Sequence, residues 1–203
     1  MKIIKSIALE EYIYWYLQRE FSTKEDRSRD NPEKFQTIAE MKKYMLERHS
    51  GKIREWFSCA KWFLVEINQI GFLDSLLCLH SSEPWAQELV PQVTNYPPDF
   101  RILKTVIQNA KDNNYFRSDC EDFQKRHKYF EKYKRLEQLP KLTDNNRIVL
   151  CSLNPSEKRS NPSASYYLHD GLGRLLTYLY LNKFEDKLLP LPIEAFVIEN
   201  INP

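Results

Sequence analysis

The chain is 203 residues long, 42% hydrophobic and 29% charged, with a formal net charge of +2. It is long enough to bury a sizeable core and too apolar to be a disordered protein. A charge so near zero argues against a dedicated nucleic-acid binder.

Taken in chain order, residues 1–58 read as an N-terminal helical extension. Ser6 to Phe21 is predicted as a helix carrying Ile7, Tyr12, Tyr14, Trp15, Tyr16 and Leu17. Such an aromatic helix is expected to pack as core, and docking of a protein partner on it is the alternative. Pro32 suits the first position of a second helix, whose stripe is Phe35, Ile38, Ala39, Met41, Met45 and Leu46, with Gly51 as its stop. Lys61 to Asn68 is the first predicted strand. Phe72 to Leu79 reads as a short buried helix, and Pro84 opens another. Tyr96-Pro97-Pro98 is a boundary, since prolines cannot continue a helix. Asp99 can cap a helix running to Asn109 with Ile102, Leu103, Val106 and Ile107 inward. Gln124 to Leu139 is a further helix, ended by Pro140.

After Pro140 the periodicity changes to strand-like runs. Arg147 to Leu153 reads as a buried strand, followed by a polar loop from Asn154 to Ser163. Residues 165–169 and 192–198 are further strands. The expected fold is therefore α+β. A small mixed sheet from about 61–68, 147–153, 165–169 and 192–198 fills residues 59–203, with a helical insertion at about 72–140.

Charge is uneven along the chain. Residues 61–100 carry a net of −4 and residues 101–141 a net of +5. The basic cluster holds Lys125, Arg126 and Lys128, interleaved with Tyr129, Phe130 and Tyr133. Basic and aromatic interleaving suits phosphate neutralisation and base stacking, but the same spacing describes an ordinary amphipathic helix, and nucleic acid is not the expected partner. The start, Met1-Lys-Ile-Ile-Lys-Ser-Ile7, lacks the pattern of a secretory signal, and no window approaches the roughly 18 apolar residues of a membrane span. A cytoplasmic protein without membrane contact is expected. Cys59, Cys78, Cys120 and Cys151 have no C-x-x-C spacing, so scattered reduced thiols are expected rather than a metal site or a disulfide framework.

The most informative stretch is Tyr166-Tyr-Leu-His-Asp-Gly-Leu-Gly-Arg-Leu-Leu176. Tyr166 to Leu168 is a short apolar strand and Asp170-Gly171 a turn signal. Leu172, Leu175, Leu176 and Leu179 then fall at helical spacing, which puts Arg174 in the first turn of a helix. Free N–H groups and the positive end of the helix dipole gather there, so an added arginine makes a phosphate cradle. The alternative is a tight turn whose Arg174 lies on the surface or pairs with a carboxylate. The chain has only 4 glycines, and Gly171 and Gly173 both fall in this turn, which implies positive φ or a close approach.

This order of strand, loop, strand, Asp-Gly-Leu-Gly-Arg, helix and strand resembles the ParB/sulfiredoxin superfamily over about residues 147–198. In that family an Asp-Gly-x-x-Arg or Gly-x-x-Arg turn opens a helix at a nucleotide phosphate site. The resemblance implies phosphate binding by Gly171, Gly173 and Arg174, with ATP or another nucleotide and magnesium as cofactors. The departures matter as well. Sulfiredoxins carry a catalytic cysteine within Gly-Gly-Cys-His-Arg, and here the aligned positions are Leu172 and Gly173, so peroxiredoxin repair is not expected. Of the partitioning proteins' Gly-Glu-Arg-Arg, only Gly171 and Arg174 remain. Of the free serine kinases' Asp-Gly-His-His-Arg, Asp170, Gly171 and Arg174 match and both histidines are missing. His169 precedes the aspartate and is read either as a substitute or as a solvent-facing strand-end residue.

Three functions follow. In a phosphotransferase or ATPase, Asp170 holds a metal or a hydroxyl, and Glu66 or Asp74 supplies the base that such chemistry needs. A non-catalytic nucleotide-binding or protein-interaction module is the second reading. A DNA-associated ParB-like protein using the basic cluster is the third.

Overall fold

A computed structural model describes residues 1–23, 31–48, 60–78, 101–116 and 128–200. Its strands are β1 (Lys2–Ile7), β2 (Ala60–Ile67), β3 (Leu77–Cys78), β4 (Ile148–Ser152), β5 (Tyr166–Asp170) and β6 (Ile193–Asn200). They form one sheet in the order β1-β2-β6-β4-β5-β3. The pairs β1–β2, β2–β6 and β4–β5 are antiparallel, and β6–β4 and β5–β3 are parallel. The helices are α1 (Leu9–Thr23), α2 (Ile38–Arg48), α3 (Ile70–Asp74), α4 (Leu103–Asp112), α5 (Lys128–Lys134), α6 (Pro155–Ser160) and α7 (Leu172–Phe184).

Alternation along the strands loads both faces of the sheet with apolar side chains, so each face needs a helical cover. On one face Val65, Ile67, Ile148, Leu150, Leu168, Ala195 and Val197 meet α4, α5 and α7 through Val106, Phe130, Leu176 and Tyr180. On the other, Trp62, Leu64, Val149, Cys151, Tyr167 and Phe196 meet Tyr12 and Trp15 of α1. Helix α2 packs behind α1, with Met41 and Met45 against Ile13 and Leu17. Burying each such side chain contributes about 1.5–3 kcal/mol.

The α+β class and the strands expected at 61–68, 147–153, 165–169 and 192–198 match β2, β4, β5 and β6. Strands β1 and β3 were not expected. Residues 2–7 pair with β2, so the first helix starts at Leu9 rather than Ser6, and the N-terminal segment supplies the sheet's outer strand as well as helices. The aromatic residues Tyr12 and Trp15 lie in the protein's own core, while Tyr14 is exposed. Pro32 opens a single 3-10 turn, Pro32–Lys34, instead of α2. The stretch expected as one helix over 72–79 divides into the end of α3 and strand β3, which pairs with β5. The proposed boundary at residue 58, the helix at Pro84, the break at 96–98 and the Asp99 cap lie outside the described residues. Among the described residues no helix is long and apolar enough to cross a membrane.

Candidate functional site

The turn from β5 to α7 is built by a register change. Leu150 pairs with Leu168, but Val149 pairs with Asp170, so His169 is an extra residue on β5. A bulge of this kind re-aims the following side chain. Here it brings Asp170 opposite Val149, which packs on the α1 face of the sheet. Without the bulge, alternation from Leu168 would send Asp170 to the opposite face, beneath α7.

Gly171 follows in the left-handed conformation, φ 95°, and acts as the N-cap of α7. The helix's first i→i−4 bond runs from Leu175 N–H to the Gly171 carbonyl at 2.9 Å. The N–H groups of Leu172, Gly173 and Arg174 therefore precede the intrahelical ladder. Arg174 lies in the first turn, as its spacing predicts, and it is buried at 9% exposure. Its guanidinium folds back beneath the turn. It donates to the carbonyls of Asn145 at 3.4 Å and Arg147 at 3.2 Å, and its Nη2 would lie 3.5 Å from a Cβ placed on Gly171. The 3-10 turn Asp144–Asn146 is held from the other side by Trp15, whose Nε1 donates to the Asp144 carbonyl at 2.7 Å. The conformation of Gly171 and the nearness of Ile148 Cγ2, 2.8 Å from that same Cβ position, account for glycine at this point.

Asp170 is enclosed by cations. Its Oδ2 accepts from Arg19 Nη1, and its Oδ1 accepts from the Gly171 N–H at 2.7 Å. Arg19 also donates to Glu20 Oε1 at 3.0 Å and lies 5.0 Å from the ring centres of both Trp15 and Tyr16. Arg19 and Glu20 are only 6% and 5% exposed. Burial by itself would raise the Asp170 carboxyl, but the Arg19 and Arg174 guanidiniums outweigh it and hold the group down to about 2. The same carboxylate keeps Arg19 firmly cationic despite its burial.

A pH dependence follows. The folded value of Asp170 lies below its ordinary 3.8, so its ionised form favours the folded state. That contribution, about 2 kcal/mol, is complete above roughly pH 4 and disappears as pH falls through the folded value near 2. Urea midpoints of the wild type are expected to fall between pH 4 and 2 by more than those of Asp170→Asn, which lacks this titration.

The remaining candidate acids stand elsewhere. Glu66 lies on β2, opposite Lys2 and Glu194, with the Lys2 ammonium 4.0 Å away. Asp74 ends α3, and burial raises its carboxyl against the opposing pull of Lys183 and Lys104. Lys183 belongs to the last turn of α7, roughly 16 Å along the helix from Leu172 at about 1.5 Å per residue. Asp170, Glu66 and Asp74 thus occupy three separate settings, each with its own cations. His169 stands beside Asp170 at partial exposure, its ring centre 6.3 Å from that of Tyr167. Gly173 lies in the first turn, where its carbonyl accepts from Thr177 Oγ1 at 2.8 Å. Lys125 and Arg126 lie outside the described residues, and only the backbone of Lys128 is described, at the start of α5.

Arg19 and Glu20 were not among the residues expected at this site. The available signal was an adjacent Arg-Glu pair inside an otherwise aromatic helix. No protein family, curated protein or solved structure matches the chain.

Proposed function

We propose that this is a phosphate- or nucleotide-binding protein of the ParB/sulfiredoxin type that binds its ligand without transferring the phosphoryl group. The observation that carries the reading is the β5–α7 turn. A left-handed Gly171 opens a thirteen-residue helix directly after a strand, with a buried arginine in its first turn. Anions are favoured at such a place by the leading N–H groups and the helix dipole, and Arg174 adds a full positive charge beneath them. The proposal that no transfer occurs rests on the candidate acids among the described residues. Phosphoryl transfer needs a base within hydrogen-bond reach of the nucleophile, and Glu66 and Asp74 are held apart from Asp170 in the sheet and at the far end of α7. Asp170 is itself engaged by Arg19 and the Gly171 N–H.

Thermal unfolding with millimolar tripolyphosphate, ATP, ADP, CTP and GTP tests this. A ligand that binds only the native state at a hundred times its Kd adds about 2.7 kcal/mol. At least one of the five is expected to raise the wild-type midpoint. Arg174→Gln keeps an amide donor for the neighbouring carbonyls but removes the charge, and it should lose that rise while retaining the wild-type circular dichroism. If no ligand raises the midpoint, the reading fails. Asp170-dependent ATP hydrolysis would return the protein to the phosphotransferase class.

A further inference from the structure

We infer that the Asp170–Gly171 peptide is a site of isoaspartate formation through a succinimide, held closed in the folded protein by the Arg19 guanidinium. Ring closure between an aspartyl carboxyl and the next backbone nitrogen is least hindered when the next residue is glycine, which has no Cβ to obstruct it. Asp170–Gly171 is the chain's only Asp-Gly or Asn-Gly bond. The fold also brings the reacting groups together, with Gly171 N 2.7 Å from Asp170 Oδ1. The Asp170 side chain is 29% exposed, so water reaches the turn. In the step itself the Gly171 nitrogen attacks Asp170 Cγ, a new N–Cγ bond closes a five-membered ring, and one Cγ–O bond breaks. The departing oxygen leaves as water, taking the N–H proton and the proton of a neutral carboxyl. Water then opens the ring. Attack at Cγ restores aspartate, and attack at the Asp170 main-chain carbonyl carbon gives isoaspartate, with no net change of mass.

The folded turn withholds the proton that this sequence of steps needs. Arg19 donates to Oδ2, and it is itself set at 6% exposure against Glu20 and the rings of Trp15 and Tyr16. Together with Arg174 it holds the carboxyl at about 2, against an ordinary 3.8. Well above both values the protonated acid is on the order of fiftyfold scarcer than at an ordinary aspartate. Arg174 stays near Asp170 whatever stands at position 19, so loss of the Arg19 charge opens the site in part rather than fully. Isoaspartate would carry the main chain through Cβ and add one backbone atom between β5 and the N-cap of α7. The effect of that extra atom on anion binding rests on the function proposed above. The isomerisation does not, because it is read without any ligand.

Ageing the full chain at about pH 6, above both carboxyl values, provides the test. Isoaspartate at position 170 is counted by peptide mass spectrometry after digestion with endoproteinase Asp-N, which does not cut before isoaspartate. Wild type unfolded in guanidinium is expected to accumulate it at least tenfold faster than the folded protein. Arg19→Gln, which keeps a donor and drops the charge, should isomerise at least threefold faster than wild type while folded. Arg19→Lys should stay slow, and so should Val106→Ala, which loosens the core on the other face of the sheet. An unfolded chain that forms no isoaspartate at this position would overturn the inference. So would a folded wild type as fast as the unfolded one, or a folded Arg19→Gln no faster than wild type. Equal acceleration in Val106→Ala and Arg19→Gln would reject the role of Arg19, since general loosening would then account for both. Should Arg19→Gln not fold, the folded-to-unfolded ratio of the wild type decides it alone. Failure of every phosphate ligand to bind would reject the proposed function and leave the isoaspartate result standing.

Discussion

Arg19→Met should destabilise the protein by about 3 kcal/mol, read as a lower urea midpoint with little change in slope. The figure follows from what the arginine leaves behind. Glu20 is almost wholly buried, and the Asp170 side chain is 29% exposed. Removing one partner of a buried ion pair costs about 3–5 kcal/mol, and the partial exposure of Asp170, with Arg174 and the Gly171 N–H still beside it, places this case at the low end. The double variant Arg19→Met/Asp170→Asn should recover part of the loss, since an uncharged amide needs no counter-ion. A double variant as unstable as the sum of the two single ones would show that the pair is not coupled.

Gly171→Ala should be damaging for two separable reasons, with a total of about 2–4 kcal/mol. A left-handed backbone costs a residue with a Cβ about 1–2 kcal/mol. The added carbon would also lie 2.8 Å from Ile148 Cγ2 and 3.3 Å from its Cβ, in a filled core where overpacking costs about 1–3 kcal/mol. Ile148→Ala removes the nearer atom. Against that background Gly171→Ala should cost mainly its backbone share, since only the 3.3 Å approach to the remaining Cβ persists, so a cycle of the four proteins separates the two parts. Equal penalties in both backgrounds would mean that Ile148 moves aside without cost.

The parts of the fold that were legible are those with a local signal. Strands β4, β5 and β6 are apolar runs bounded by polar loops or prolines, and β2 is a long run of the same kind. The edge strand β1 was missed because five of its six residues are exposed, so it has no buried face to give an alternating pattern. Strand β3 is two residues in an apolar stretch where strand and helix cannot be told apart by period. At the site, the glycine pair and the switch from strand to helix spacing were sufficient to place Arg174 in the first turn of α7. The partner of Asp170 was not legible, because Arg19 is 151 positions away and reaches it only through the packing of α1 on the sheet. The bulge at His169 that turns Asp170 toward α1 leaves no mark in composition either.

The strand order also governs how the chain can mature during synthesis. Strand β2 sits between β1 and β6, pairing with β6 from Ala60–Asn200 to Ile67–Ile193. More than a hundred residues separate these two strands in the chain. At translation speeds of about 5–20 residues per second, the antiparallel pair of β1 and β2 waits on the order of ten seconds for the neighbour that completes it. During that interval the inner edge of β2 and the apolar face around Val65, whose cover comes from α4, α5 and α7, have no native partner. The central sheet can close only after β6 has emerged. Pairings so distant in sequence are intrinsically slow to form.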